Sequence, residues 1–264
     1  MIPKPNNSLL KKKALLKKAA DLIDRSSYMV VFTGAGISTP SGIPDFRSPN
    51  TGLWEQYDPF EVASLWSFHK KPEAFFNWIK PLAMQSETAK PNLAHQAIAD
   101  LESKGKVKSV ITQNIDGLHQ RAGSKKVLEL HGSARTATCI KCGKKYDQGN
   151  FCHLIFAGDV IPRCDRCGEI IKPDVILFGE ELPRDIWNDA YQECLKADLL
   201  FVVGSSLEVS PANSLPEEAL HNGAKLVINN LSPTHLDRFA DVLLKMDVIE
   251  GIGNLPSLLA SATA

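Results

Sequence analysis

The feature that most constrains this chain is a pair of matching knuckles, Cys139-Ile140-Lys141-Cys142-Gly143 and Cys164-Asp165-Arg166-Cys167-Gly168. Each Cys-x-x-Cys unit sets two thiolates on one tight turn, and the glycine after it tolerates a backbone conformation that a side chain hinders. With 21 residues between Cys142 and Cys164, the two units suit one tetrahedral metal, and thiolate ligands favour zinc. Four thiolates close the coordination sphere, so the metal is expected to be structural. Such a cage calls for a small module folded around it, inserted into a chain of 264 residues.

A chain of that length suits one large domain carrying a smaller insertion. Lys+Arg and Asp+Glu number 30 each, leaving no net charge. A dedicated nucleic-acid binder needs a large basic field, so nucleic acid is not the expected partner. Four of the six cysteines lie in the knuckles and no signal peptide precedes them, which suits a reducing, cytoplasmic setting. Cys152 and Cys194 read as small buried hydrophobes. In the lysine-rich start, Leu15, Leu16, Ala19, Ala20, Leu22 and Ile23 share one helical face, the pattern of an ordinary surface helix. No apolar run is long enough to span a bilayer, and no membrane partner is expected.

Tyr28 to Thr33 is a β-rich run ending in Gly34-Ala35-Gly36-Ile37-Ser38, as when a buried parallel strand meets a phosphate-approaching turn. Runs at 107–112, 127–130, 174–178, 199–204 and 225–229 repeat the theme, and helical stretches at 92–104 and 183–197 lie between them. This alternation predicts an α/β fold with a doubly wound, Rossmann-like parallel sheet. Two segments break the alternation. The expected sheet domain comprises 20–46, 91–131 and 172–262, while a helical insertion at 47–90 and the zinc-binding module at 132–171 form a smaller lobe. The crevice between them, outside the carboxyl ends of the strands, is the expected ligand site.

Gly34-x-Gly36 is a weak signal alone, because Thr39 stands where a third glycine completes the dinucleotide fingerprint. Its continuation is more specific: the loop from Ser38 ends in Asp45-Phe46-Arg47, an acid, an aromatic and a cation. Arg47 is suited to a diphosphate, Asp45 to a ribose or amide, and Phe46 to shielding a reactive carbon. Gln113-Asn114-Ile115-Asp116 follows a strand directly, where ligands bind, although Asn114 and Asp116 suit a helix cap equally well. His131 also follows a strand and is the best general base in the chain. The surroundings of His69, His95, His153, His221 and His235 are less suited to that role.

Together these motifs resemble the sirtuins, NAD-dependent protein-lysine deacylases. The resemblance continues through Phe178-Gly179-Glu180, Gly204-Ser205-Ser206-Leu207-Glu208-Val209 and Ile228-Asn229, nearly the whole chain. Ser205 replaces the threonine of many members and keeps the hydroxyl. The resemblance implies that NAD is consumed rather than reduced. The acyl-lysine carbonyl attacks the nicotinamide ribose, nicotinamide leaves, and His131 takes a proton from a ribose hydroxyl as that hydroxyl attacks the resulting imidate. Free lysine and O-acetyl-ADP-ribose follow. It implies that Ile115 and Asp116 hold the nicotinamide carboxamide, that Asn114 orders ribose and water, and that Gln113 contacts the same ribose. Ala35, Gly36, Asp45 and Arg47 would line the diphosphate and ribose, Gly34 would belong to the same cofactor site, and Phe46 would shield the reactive face. Gly204, Ser205, Ser206, Asn229, Asn230, Leu231 and Val248 would surround the adenosine. Acetylated protein is the implied partner, bound as an added strand along Phe178, Gly179, Glu180, Leu207, Glu208 and Val209.

Relatives that remove succinyl groups carry a tyrosine and an arginine where this chain has Phe76 and Ile79, so an uncharged acyl group is expected. Protein ADP-ribosyl transfer from the same activated ribose is an alternative. A hydride-transferring enzyme fits less well, because no clear acid ends the second strand for ribose recognition. A zinc-ribbon binding module is opposed by the neutral charge and the crevice beside His131.

Overall fold

The computed structural model describes residues 7–147 and 161–262, so the expectations for Cys152 and His153 lie outside the described residues. The first element is α1 (Asn7–Arg25), which buries Ala19, Ala20 and Ile23 and leaves Lys11, Lys13, Lys17 and Lys18 exposed. β1 (Met29–Thr33) follows, every residue buried. Then come α2 (Pro59–Val62), α3 (Leu65–Lys70) and α4 (Pro72–Thr88). α5 (Leu93–Ser103) leads to β2 (Val107–Thr112), and α6 (Leu118–Ala122) to β3 (Val127–Glu129). β4 (Gly132–Cys139), β5 (Lys145–Asp147) and β6 (Ile171–Val175) form a separate group. The chain closes with α7 (Arg184–Lys196), β7 (Leu199–Val203), α8 (Ser214–His221), β8 (Lys225–Asn229), β9 (Val242–Leu244) and α9 (Leu255–Ala262).

Six strands build a wholly parallel sheet in the order β3-β2-β1-β7-β8-β9. The order reverses between β1 and β7, which opens a crevice at their carboxyl ends. Both faces of the sheet are covered. Val31, Phe201 and Val227 pack against α1 and α5, while Val30, Leu200 and Leu226 pack against α7 and α8. Continuous burial explains why β1 and β7 read as unbroken apolar runs. Cys194 is fully buried on α7, as expected of a small hydrophobe.

The run 174–178 does not join this sheet. β6 ends at Val175 and pairs antiparallel with β4 in a three-stranded sheet ordered β5-β4-β6. Its alternating burial marks a strand covered on one face only, and the apolar run beyond it turns into the crevice wall. β9 is not marked in the sequence, because three residues at a sheet edge carry too little periodicity to be read. Phe68, Phe75, Phe76 and Ile79 of the helical insertion share one apolar core with Val175 and Leu177, which the expected boundaries assign to the sheet domain. Among the described residues, no helix is long and apolar enough to cross a membrane.

Candidate active site

The carboxyl ends of β1 and β7 nearly touch. Gly34 N–H donates to Val203 O at 3.1 Å and Gly36 N–H to Gly204 O at 2.9 Å. A Cβ on Gly34 would stand 2.8 Å from Gly204 O, and one on Gly36 2.9 Å from Gly204 Cα. These glycines therefore let two turns of the protein approach each other, a requirement the phosphate-turn reading did not foresee. Beside them lies a cavity of about 650 Å³, within the usual range for small-molecule sites. Every cofactor and substrate position expected from the sequence lines it, with the exceptions of Asn229 and Leu207.

The two exceptions are buried. Asn229 donates from Nδ2 to Leu244 O at 3.1 Å and Met246 O at 2.9 Å, and accepts from Ile252 N–H at 3.0 Å. Its side chain is fully enclosed and fixes the segment that carries Val248 to the cavity wall. Leu207 turns into the core with a left-handed φ of 58°, leaving Glu208 and Val209 at the surface of the cavity.

A polar corner occupies the end of β2. Asn114 donates from Nδ2 to Gly34 O and Ser38 Oγ, both at 3.2 Å, which turns its Oδ1 away from those partners. Asp116 accepts from Ser38 Oγ at 2.7 Å and from Leu118 N–H at 2.9 Å, so it holds the first N–H of α6 and lines the cavity at once. Gln113 donates to Ser205 Oγ at 2.9 Å. Among the described residues, Gln113 Oε1, Asn114 Oδ1 and the Ile115 N–H have no hydrogen-bond partner. Unpaired acceptors beside an unpaired backbone donor fit ribose hydroxyls and a carboxamide.

His131 is half-buried at the same cavity, and its Nδ1 lies 3.0 Å from Gln113 O. A carbonyl only accepts, so Nδ1 carries the proton and Nε2 is left as the base. Burial lowers the pKa of His131, against the opposing pull of that hydrogen bond, which favours the neutral imidazole.

Other polar residues at the cavity are engaged within the protein. Both carboxylate oxygens of Asp45 serve the loop itself: Oδ1 accepts from Arg47 N–H at 2.9 Å and Ser48 N–H at 2.7 Å, Oδ2 from Ser48 Oγ at 2.5 Å. Arg47 Nε pairs with Glu208 Oε2 at 2.9 Å, joining the cofactor-side loop to the segment after β7. His95 does have a polar setting, contrary to expectation. It is fully buried, with Nδ1 taking Asn92 N–H at 3.4 Å and Nε2 facing Ser38 Oγ at 3.5 Å. Its ring meets His119 at 5.0 Å, and His119 Nε2 lies 2.9 Å from Thr33 Oγ1. These partners are far apart in sequence, and only the cap pattern from Asn92 to His95 was there to be read.

Rings form the opposite wall. Phe46 lies 5.0 Å from Trp54, which stacks on Trp78 at 5.7 Å. Of the two positions tied to acyl preference, Ile79 lines the cavity, while Phe76 is buried against Phe68 and Phe75.

The cysteine knuckles lie elsewhere. The four sulfurs of Cys139, Cys142, Cys164 and Cys167 lie within 4.8 Å of one another, with separations of 3.4 Å and 3.6 Å across the two units. A tetrahedron with Zn–S bonds of about 2.3 Å requires sulfurs roughly 3.8 Å apart, so the group fits zinc. Gly143 and Gly168 adopt φ of 69° and 75°, and each N–H returns to the first cysteine of its knuckle. β4 separates the metal from His131: eight residues of strand span roughly 25 Å. Nothing in this arrangement brings the metal to the reacting atoms.

A family model described as the Sir2 family matches residues 34–211. NAD-dependent protein deacetylase 2 of Caldanaerobacter subterraneus subsp. tengcongensis is 45% identical over 249 residues, covering 94% of this chain and 98% of the relative. NAD-dependent protein deacylase 2 of Archaeoglobus fulgidus is 50% identical over 229 residues, covering 86% and 89%. A solved structure described as the structural basis for the mechanism and regulation of Sir2 enzymes matches with a TM-score of 0.89 at 45% identity, covering 95% of this chain and 99% of the other. A Sir2 structure with a deacetylated p53 peptide and 3′-O-acetyl-ADP-ribose matches with a TM-score of 0.86 at 44% identity, covering 92% and 98%. The family model spans more than half of the chain and these relatives cover most of it, so the chain belongs to the Sir2 family, the sirtuins.

Proposed function

We propose that this protein removes acetyl and other uncharged acyl groups from protein lysines at the expense of NAD, giving free lysine, nicotinamide and O-acetyl-ADP-ribose. The observation that carries this reading is one cavity holding three things: a neutral His131 with Nε2 available, the polar corner at 113–116, and two unpaired backbone edges. Those edges are Gly179 and Glu208, whose N–H and C=O make no hydrogen bond among the described residues. An extended peptide laid between them gains main-chain bonds at both sides, which accommodates varied sequences.

Bound NAD supplies an electrophilic ribose carbon and a leaving nicotinamide. Ile115 N–H and Asp116 would hold the carboxamide, and Asn114 Oδ1 and Gln113 Oε1 would receive hydroxyls of the neighbouring ribose. Phe46, backed by Trp54, covers the reacting carbon and excludes water. His131 accepts a hydroxyl proton at Nε2, with Nδ1–H held by Gln113 O so that the ring cannot rotate away. The reaction transfers an acyl group and consumes water, so both transferase and hydrolase descriptions apply. Thiols kept reduced for the metal suit work in the cytoplasm.

The test is incubation with NAD and acetyl-, propionyl- and succinyl-lysine peptides, with all products weighed by mass spectrometry. Loss of acetyl matched by released nicotinamide is expected, with succinyl removed more slowly. A peptide that gains ADP-ribose, or a change in nicotinamide absorbance, contradicts the reading.

A further inference from the structure

The peptide edge at Gly179 has a structural support outside the cavity. Lys172 lies on β6 with its side chain only 15% exposed. Its ammonium reaches Glu180 Oε2 at 3.0 Å, Val175 O at 2.7 Å and Pro173 O at 3.3 Å, matching its three donors. Glu180 Oε2 also takes Leu177 N–H at 2.7 Å, and Glu180 N–H returns to Leu177 O at 2.9 Å. Residues 173–180 are thus wrapped around one largely covered charge. One end of the wrap is tied to the base, because Ile176 N–H donates to His131 O at 2.9 Å.

The wrap also determines which backbone groups remain for a peptide. Phe178 N–H and C=O are held by Ala63 O and Leu65 N–H, both at 2.9 Å, so this expected substrate contact is already used by the small lobe. Gly179 is the first residue beyond β6 whose N–H and C=O are both open, and it holds φ at 93°, where a side chain is strained. We propose that Lys172 is a positioning residue for acyl-peptide binding: its ammonium, through Glu180, sets the height and direction of the Gly179 edge without touching peptide, NAD or the reacting atoms. This rests on the deacylase reading given above.

Lys172 acts on main-chain bonds that the peptide makes equally in the ground and transition states, so its loss falls on KM for peptide rather than on kcat. Lys172→Met keeps the aliphatic stem and removes the charge. The expected result is a peptide KM raised about tenfold, with kcat and the KM for NAD within about threefold. Lys172→Arg, which keeps the charge, recovers most of that loss. A purely structural role would instead lower melting temperature and the active fraction, leaving both KM values alone. Should Lys172→Met fail to fold, Glu180→Gln keeps an oxygen for Leu177 N–H and is expected to show the same KM pattern more weakly. An unchanged peptide KM in a folded variant, equal loss of NAD and peptide binding by calorimetry, or failure of both variants to fold overturns the proposal. Wild-type protein that does not deacylate the peptide refutes the deacylase reading instead, and is told apart because it is read before any variant.

Discussion

The buried pair His95 and His119 makes the stability of this protein sensitive to mild acid. Burial holds the His95 pKa down to about 4 from its ordinary 6.5, against a smaller opposing effect of Asp116. Below pH 6.5 the unfolded chain takes up this proton and the folded one does not, so stability is complete above that pH and falls as the solution is acidified toward pH 4. The difference between pH 7 and pH 5 comes to about 2 kcal/mol for His95 alone. His119, held well below its ordinary value by burial and then by the nearness of His95, adds loss of the same sign. Glu129 works in the opposite direction, since burial raises its pKa and the fold binds its proton earlier. Asp198, Asp237 and Asp241 are lowered and titrate beneath this window.

The assay is urea unfolding at pH 7 and pH 5 of wild type and His95→Gln, whose amide can still donate toward Ser38 but does not titrate. Wild type is expected to lose about 2 kcal/mol more than the variant over this interval. The difference between the two proteins removes the shared contribution of Glu129. Equal losses in both proteins would refute the reasoning, because the proton uptake would then lie elsewhere.

Three further outcomes follow from the geometry. Cys139→Ala opens the tetrahedral cage and is expected to lose zinc, unfold the small lobe and reduce turnover indirectly. Metal analysis with thermal melting checks this, and a zinc-free variant with wild-type melting and turnover contradicts it. Gly204→Ala forces a side chain onto a φ of 60° and into the backbone of Gly36 and Ile37, costing more than about 3 kcal/mol. A variant as stable as wild type in denaturant would show that the two turns can separate freely. His131→Ala is expected to abolish deacylation while NAD and acetyl-peptide still bind by calorimetry. Because burial lowers the His131 pKa, the acid limb of wild-type kcat/KM against pH should lie below pH 6.5, and a limb above that value would assign the base elsewhere.

The parts of the site legible in the sequence are those whose chemistry is local. Each knuckle carries its own ligands and its own left-handed glycine, and Gln113 to Asp116 leave β2 as one short run. Asn229 and Asp45 show the limit. Both were recognised as polar residues near the site, but whether a carboxamide or carboxylate meets a ligand or its own backbone depends on partners supplied by the fold. Asn229 finds Leu244, Met246 and Ile252, whereas Asp45 finds Arg47 and Ser48. His95 depends on Ser38 and His119, which the strand order alone brings together. The same applies to β6, where an apolar run concealed a strand covered on only one face.

The small sheet also gives the distant metal a reason to matter for the reaction. β4 starts beside His131 and ends at Cys139, while β6 pairs with it, Cys139 against Ile171 at the metal end and Gly132 against Val175 at the other. The chain leaving that second end is the one that binds His131 O and then presents Gly179. His131, the proposed base, and Gly179, the proposed peptide edge, therefore hang from the same end of one strand pair, and the cage clamps the opposite end. A β-sheet register is held by its full set of cross-strand bonds, so loosening the cage permits slippage that moves Gly179 relative to His131. The adenosine side, built on the turns after β1, β7 and β8, has no such dependence. Mild chelation should accordingly weaken acetyl-peptide binding before NAD binding, and calorimetry with each ligand against residual zinc content decides it: simultaneous loss of both would mean that the cage supports the whole fold rather than this strand pair.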